Sequence, residues 1–358
     1  MSSERTAGAD VANAGLLARR AFLRAAAGGC VAVFAPLAVG PARAAGVSVE
    51  TLPALEGELT LYLGRGEGGL YENVLGAIEA RNPGLELNVR RGPTAALANA
   101  IVAEARAGIR RADLFWAVDS GAVGFVDDAG LARALPADLT SQLAPQYRYE
   151  RFAPITGRVR TVAYNAERVE PQALGTSIMA LPESGLRIGW APAYASFQSF
   201  VTAMRLLEGE ERTADWLRRT AKHARSYAGE LGVVMGVDRG EVDVGFANHY
   251  YALRLRSGRP EARVALAYTQ GDAGCLVNAS GIVALDEREL ATNFVRYLLT
   301  REVQGYLARE AYELPLVEGI AGPPELPSLA TLTPPAVDLR SLGDLQPTLE
   351  LMRDVGVL

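Results

Sequence analysis

Residues Ala247–Leu253, ANHYYAL, set two tyrosines side by side, directly after one of the chain's two histidines. Neighbouring side chains on a strand point to opposite faces, and on a helix they diverge by about 100°. Two adjacent phenols are therefore an awkward way to furnish one spot. Packing explains many such pairs, because tyrosine is often half-buried and this chain holds 13 of them. A second chemistry is open to Tyr250 and Tyr251. A phenol ionises at about pH 10, so a tyrosinate at neutral pH needs a nearby cation, and a bound metal ion inverts the local pKa logic. Ferric iron is small, hard and trivalent, and such an ion favours anionic oxygen over thiolate or imidazole. Three phenolates would balance its charge. The pair alone leaves packing and ligation both open.

Other chemistries find less support. The sequence has no G-x-S-x-G elbow, no Walker loop, no C-x-x-C and no H-E-x-x-H. The loop GRGEGG does match the G-x-G-x-x-G spacing through Gly64, Gly66 and Gly69. That fingerprint wants an acid at the end of the second strand, where NVRRG carries two arginines instead. A phosphorylated dinucleotide would use them, which keeps a nucleotide-dependent enzyme as the outside reading. The net charge is −5 and the basic residues form no stripe, so nucleic acid is excluded as the expected partner. Lys222 is the single lysine among 36 basic residues, a bias that reads as genome composition.

These side chains need elements to hold them. ELTLYLG (Glu58–Gly64) alternates as a strand, and Leu70–Arg81 carries Leu70, Val74, Leu75 and Ile78 at helical spacing before the stop NPG. LELNVRRG predicts a second strand, TAALANAIVAEARAG a helix capped by Thr94, and ADLFWAV a buried strand. The alternation resumes with TVAYN, LRIGWAP, a helix from about Phe197 to Leu207, the helix ERTADWLRRTAKHA and the strand VDVGFA. CLVNASGIVAL predicts a buried strand. DERELATNFVRYLLTREVQGYLARE predicts one long helix, opened by Asp286 with Glu289 in capping-box spacing. Gly322–Leu342 reads as an extended wrap before a short closing helix. Strands alternating with helices imply sheets covered on both faces, with ligands outside the carboxyl ends of the strands. With 358 residues, the expectation is two α/β lobes with a cleft between them, crossed by APITGRVRTVAYN and GDAGCLVNASG.

The N-terminus reads as an export signal and not as fold. Arg19 and Arg20 precede Phe22, Leu23, a modest apolar run and the small-residue site Ala42-Arg43-Ala44, a twin-arginine pattern over residues 1–45. Cys30 follows Ala-Gly-Gly, which opens a lipid-tethered reading. Cleavage near Ala44 would leave Cys275 alone, with no intrachain disulfide possible.

The mature chain resembles the bacterial ferric-iron-binding proteins of ABC importers, periplasmic solute-binding proteins with a transferrin-like two-lobed fold. The resemblance runs through YLGRGE (Tyr62–Glu67), ADLFWAVDSGAVGFVDDAGL (Ala112–Leu131) and GRVRTVAYN (Gly157–Asn165). It continues in IGWAPAYASFQSFVTAMRLLEGE (Ile188–Glu210), GEVDVGFANHYYALRL (Gly240–Leu255) and GDAGCLVNASGIVAL (Gly271–Leu285). It implies a type II periplasmic-binding-protein fold with a hinge and an interlobe cleft. Residues 56–157 with 277–330 would form the N-terminal lobe, and 158–276 with 331–358 the C-terminal lobe. It further implies that Tyr250 and Tyr251 are ferric ligands, with Tyr194 after the GW-x-P segment as the third.

In the three-tyrosine version of that site a carbonate-like synergistic anion often completes the shell. Arg158 and Arg160 match positions near it, and an arginine fork suits such an oxyanion. Departures are plain. Some relatives place a histidine where this chain has Gly66 and a Glu or Gln where it has Val118, and many place asparagines near residues 229–231, where this chain offers Glu230. Glu230 would replace an anion oxygen or signal a changed ligand, so an organic or phosphorus oxyanion, or a polyamine, is the alternative cargo. Arg65 and Glu67 would face the cleft or form a solvated pair. His249 is expected to be structural and Trp190 to be packing. The expected partners are the permease and ATPase subunits of an importer, and the expected state is a monomer in the periplasm or at the cell surface.

Overall fold

The computed structural model describes residues 46–64 and 69–358. The export signal, Cys30, Arg65, Gly66 and Glu67 lie outside the described residues.

The chain opens with β1 (Gly57–Gly64), α1 (Leu70–Arg81), β2 (Leu85–Gly92), α2 (Thr94–Arg106), β3 (Leu114–Ala117), α3 (Ser120–Asp128) and the short α4 (Ala137–Thr140). A long strand, β4 (Ala153–Asn165), leads to β5 (Ile188–Trp190), α5 (Ala195–Glu208), α6 (Glu210–Ala221), β6 (Ala224–Ser226) and α7 (Glu230–Asp238). Then come β7 (Val244–Asn248), α8 (His249–Gly258) and β8 (Val264–Ala267). The chain returns through β9 (Val277–Ala284), α9 (Glu289–Leu298), α10 (Arg301–Glu310) and β10 (Leu314–Pro315), and closes with α11 (Leu345–Asp354).

Strand order is β2-β1-β3-β9-β4-β7-β5-β6, with β8 and β10 also pairing β4. β1 is parallel to both neighbours, with Leu61 opposite Val89 on one side and Leu114 on the other. An inner parallel strand is buried on both faces, and Leu59, Leu61, Tyr62 and Leu63 are all buried. β4 belongs to two sheets. Ala153–Val159 pairs antiparallel with β9, and Arg160–Tyr164 pairs antiparallel with β7. The changeover falls between Val159 and Arg160.

Each side of that changeover has its own core. One gathers Tyr62, Leu97, Ile101, Phe115, Phe152 and Val283. The other gathers Ala163, Val234, Val237, Ala247 and Val264, with Tyr251 packed against it. Beside the second core, Phe200, Trp216 and Phe246 interlock with ring centroids 5.4–6.0 Å apart, within the range where aromatic pairs attract.

Three local expectations change. The long helix is two, α9 and α10, separated at Leu299 and Thr300. Buried Thr300 takes an extended ψ of 152° and its hydroxyl donates to the Tyr297 carbonyl at 2.7 Å, so side chain competes with helix ladder. No capping box opens α9 at Asp286. That carboxylate instead accepts from the Arg288 N–H and pairs with Arg288 and Arg110. Thr94 is the first residue inside α2, after Pro93, and not its cap. Its hydroxyl sits where a Cβ on Gly64 would have to go, which gives the first glycine of GRGEGG a packing reason independent of any nucleotide. The tail 322–342 is largely irregular before a short 3-10 turn, followed by the expected closing helix.

Candidate metal centre

β6, β5 and β7 lie parallel, and each feeds a helix from its carboxyl end. Tyr194 is the N-cap residue of α5, Glu230 is the first residue of α7, and Tyr250 and Tyr251 follow His249 in the first turn of α8. Three successive strand–helix units therefore deliver their leading side chains to one rim, where sheets of this kind bind ligands. Helix N-termini carry partial positive charge, so they favour phenolate and carboxylate.

The tyrosines do come together. Tyr194 Oη and Tyr251 Oη are 2.7 Å apart, and the Tyr250 and Tyr251 ring centroids are 4.4 Å apart at 45°. Because β7 ends at Asn248 and the helix starts at once, the pair sits in a helical first turn and not on a strand that would send it to opposite faces. Tyr250 is buried, its hydroxyl 3.5 Å from Asn248 Nδ2 and its ring 4.6 Å from the Arg254 guanidinium carbon. Burial pushes the Tyr251 phenol well above its ordinary range, and the neighbouring Tyr250 and the hydrogen bond with Tyr194 push it further. Without a cation Tyr251 is therefore a protonated phenol. A small hard cation would reverse that balance by replacing shared protons with a shared charge. Among the described residues no group of three or more His, Cys, Asp and Glu side chains is placed to hold a metal ion.

His249 belongs to the frame. It is fully buried, with Nδ1 accepting from the Val159 N–H at 3.0 Å and Nε2 facing the Tyr312 carbonyl at 2.6 Å. Those partners place the proton on Nε2. Burial holds its pKa down at about 4. Trp190 is also packed, 3% exposed, with its indole N–H on Ser226 Oγ at 3.0 Å.

The two arginines part company. Arg160 reaches the Glu230 carboxylate, Nη1 to Oε1 at 2.6 Å, and also the Ser196 carbonyl at 2.6 Å. Arg158 is held by the Glu313 carboxylate at 3.3 Å, by Tyr71 Oη at 3.1 Å and by the Val118 carbonyl. Glu230 is itself 1% exposed and accepts from Arg160, from Ser196 Oγ and, through Oε2, from the Asn248 N–H at 2.8 Å. Guanidinium, hydroxyl and backbone N–H converging at a helix start are the donors a small oxyanion would use. Here a side-chain carboxylate already engages them, so these residues do not fit an added carbonate. Sequence reasoning missed Ser196 and the Asn248 N–H. Their signal was position, since Ser196 lies two residues after Tyr194 and Asn248 two before Tyr250.

Residues 59–313 match the family model described as bacterial extracellular solute-binding protein. The chain belongs to that family. It is 30% identical over 289 residues to the Fe(3+)-binding periplasmic protein of Serratia marcescens, covering 78% of this chain and 85% of that one. It is 26% identical over 258 residues to the major ferric iron-binding protein of Neisseria meningitidis serogroup B, covering 69% and 78%. Among solved structures, iron-bound HitA from Pseudomonas aeruginosa superposes with a TM-score of 0.74 at 28% identity, over 85% of this chain and all of that one. This solute-binding chain thus has the two-lobed periplasmic-binding-protein fold, with β4 shared by its two sheets. No helix among the described residues is long and apolar enough to cross a membrane.

Proposed function

We propose that this solute-binding protein captures ferric iron through Tyr194, Tyr250 and Tyr251 as phenolates and presents it to an ABC importer. The observation that carries the reading is the convergence of the three phenols on one rim, with Tyr194 and Tyr251 in hydrogen-bond contact. Three phenolates match a trivalent charge, and their oxygens match its hardness. The names of the relatives, Fe(3+)-binding, ferric iron-binding and iron-bound, point the same way. The mechanism is binding, not turnover. We take residues 56–157 with 277–330 as one lobe and 158–276 with 331–358 as the other, closing about the hinge by rigid-body motion. Closure excludes water, and reduction to the softer Fe(II), which phenolates hold less well, would aid release. Export by the twin-arginine segment would place the protein in the periplasm or at the cell surface.

An oxyanion cargo is less well served, because Arg160 is already neutralised by Glu230. The test is optical. Ferric iron added to iron-free protein is expected to raise a visible phenolate-to-iron charge-transfer band, which weakens in Tyr250→Phe and Tyr251→Phe. A colourless protein whose melting temperature ignores iron but rises with an organic anion would sink the reading.

A further inference from the structure

Resting on the ferric reading above, we infer that Glu230 is a built-in substitute for the synergistic anion, so that this protein binds ferric iron without carbonate or any other added anion. The argument starts from burial. An ionised carboxylate with a fully buried side chain is costly unless it is paired and hydrogen-bonded. Glu230 meets both conditions with the Arg160 guanidinium, the Ser196 hydroxyl and the Asn248 N–H, and Arg160 is itself 3% exposed. Taken together, these are one guanidinium N–H, a hydroxyl and a helix-terminal amide, the donor set of an oxyanion cradle. The carboxylate is delivered to it covalently by the first turn of α7.

The location ties this cradle to the phenols. Ser196 stands in the first turn of α5, two residues from Tyr194. The Asn248 amide precedes His249 and the tyrosine pair at the start of α8. Gly229, next to Glu230, lies against the Tyr194 ring, where an added Cβ would come within 3.7 Å of two ring carbons. One carboxylate thus fastens together the starts of both tyrosine-bearing helices and pairs with the buried Arg160 guanidinium. Glu230 is a positioning residue. It fixes where the phenolates stand and sets the charge around them, as an external anion would, without a dissociation step of its own.

The experiment supplies iron as ferrous chloride oxidised by carbon-dioxide-free oxygen, in a zwitterionic buffer freed of carbon dioxide and phosphate. Wild-type protein is expected to develop its full charge-transfer band, with no change in position or intensity when bicarbonate is then added. Glu230→Ala, checked for folding by circular dichroism, is expected to lose about 10- to 100-fold in ferric affinity without bicarbonate. Bicarbonate, small enough to enter the vacated cradle, should restore that loss. A wild-type band that forms only after bicarbonate overturns the inference and leaves ferric binding intact. So does a Glu230→Ala variant that binds iron fully without any anion. If wild type gives no band with or without bicarbonate, the ferric reading itself has failed. Should Glu230→Ala not fold, the wild-type comparison decides alone.

Discussion

The hydroxyls of Tyr194 and Tyr251 share a hydrogen bond of 2.7 Å although 57 residues separate them in sequence. Each sits at the start of a different helix, and each helix follows a different strand of one parallel trio. If the ferric reading holds, this bond's proton is what an arriving ferric ion would displace.

Replacing Tyr194 by phenylalanine removes one donor and leaves Tyr251 without that partner. Ferric affinity is expected to fall by about two orders of magnitude, roughly 3 kcal/mol, with a weaker charge-transfer band. A competition titration against a chelator reads both. Retention of wild-type affinity would remove Tyr194 from the ligand set.

Because the Tyr251 phenol is held above its ordinary pKa in the iron-free chain, it would have to lose a proton to serve as the proposed ligand. A ligand whose pKa lies above the working pH binds metal more tightly as pH rises. Ferric affinity should therefore climb from pH 6 to 8, and a pH-stat should record more acid released by wild type than by Tyr251→Phe under the same iron supply. Equal release from the two proteins would count against phenolate ligation.

His249→Ala strips the acceptor from the Val159 N–H and the donor from the Tyr312 carbonyl, inside a fully buried site. A cost of about 3 kcal/mol is expected from the orphaned groups and the cavity, visible as a lowered thermal midpoint. The position of the iron band should stay put, since the imidazole faces the frame. A band that shifts would make His249 a ligand.

Cys275 is fully buried, and burial raises its thiol to about 11. The thiolate is the reactive form, so native protein should resist an aromatic disulfide reagent at pH 8 and react promptly once unfolded. Rapid labelling of native protein at Cys275 would show that the 3-10 turn Ala273–Cys275 opens readily.

Where the sequence was readable, one physical signal dominated its neighbourhood. Leu70–Arg81 has apolar residues at helical spacing and a clear stop, and the helix has those bounds. The segment 286–310 kept its periodicity through Thr300, so nothing in the pattern reveals that a hydroxyl turns back on the Tyr297 carbonyl there. The helix opening at Glu230 was unread because ELGVVMGVD is too uniformly apolar to show a face. The tyrosine pair was legible as an oddity. The partner of Glu230 was not. That Arg160 turns to this carboxylate while Arg158, two residues earlier, turns to Glu313 depends on contacts 70 and 155 residues away in the chain.

Those two arginines stand on the same side of β4, about 7 Å apart along the strand. One is moored to Glu313, just after α10, and the other to Glu230 at the head of α7. Val159 between them holds the ring of His249, the residue next to Tyr250. A swivel of one half against the other would be levered through this short span, with the tyrosine-bearing helix α8 gripped at its first residue, His249. On the ferric reading, posture and grip would then be mechanically geared, so that prising the halves apart tugs at the helix start that carries Tyr250 and Tyr251.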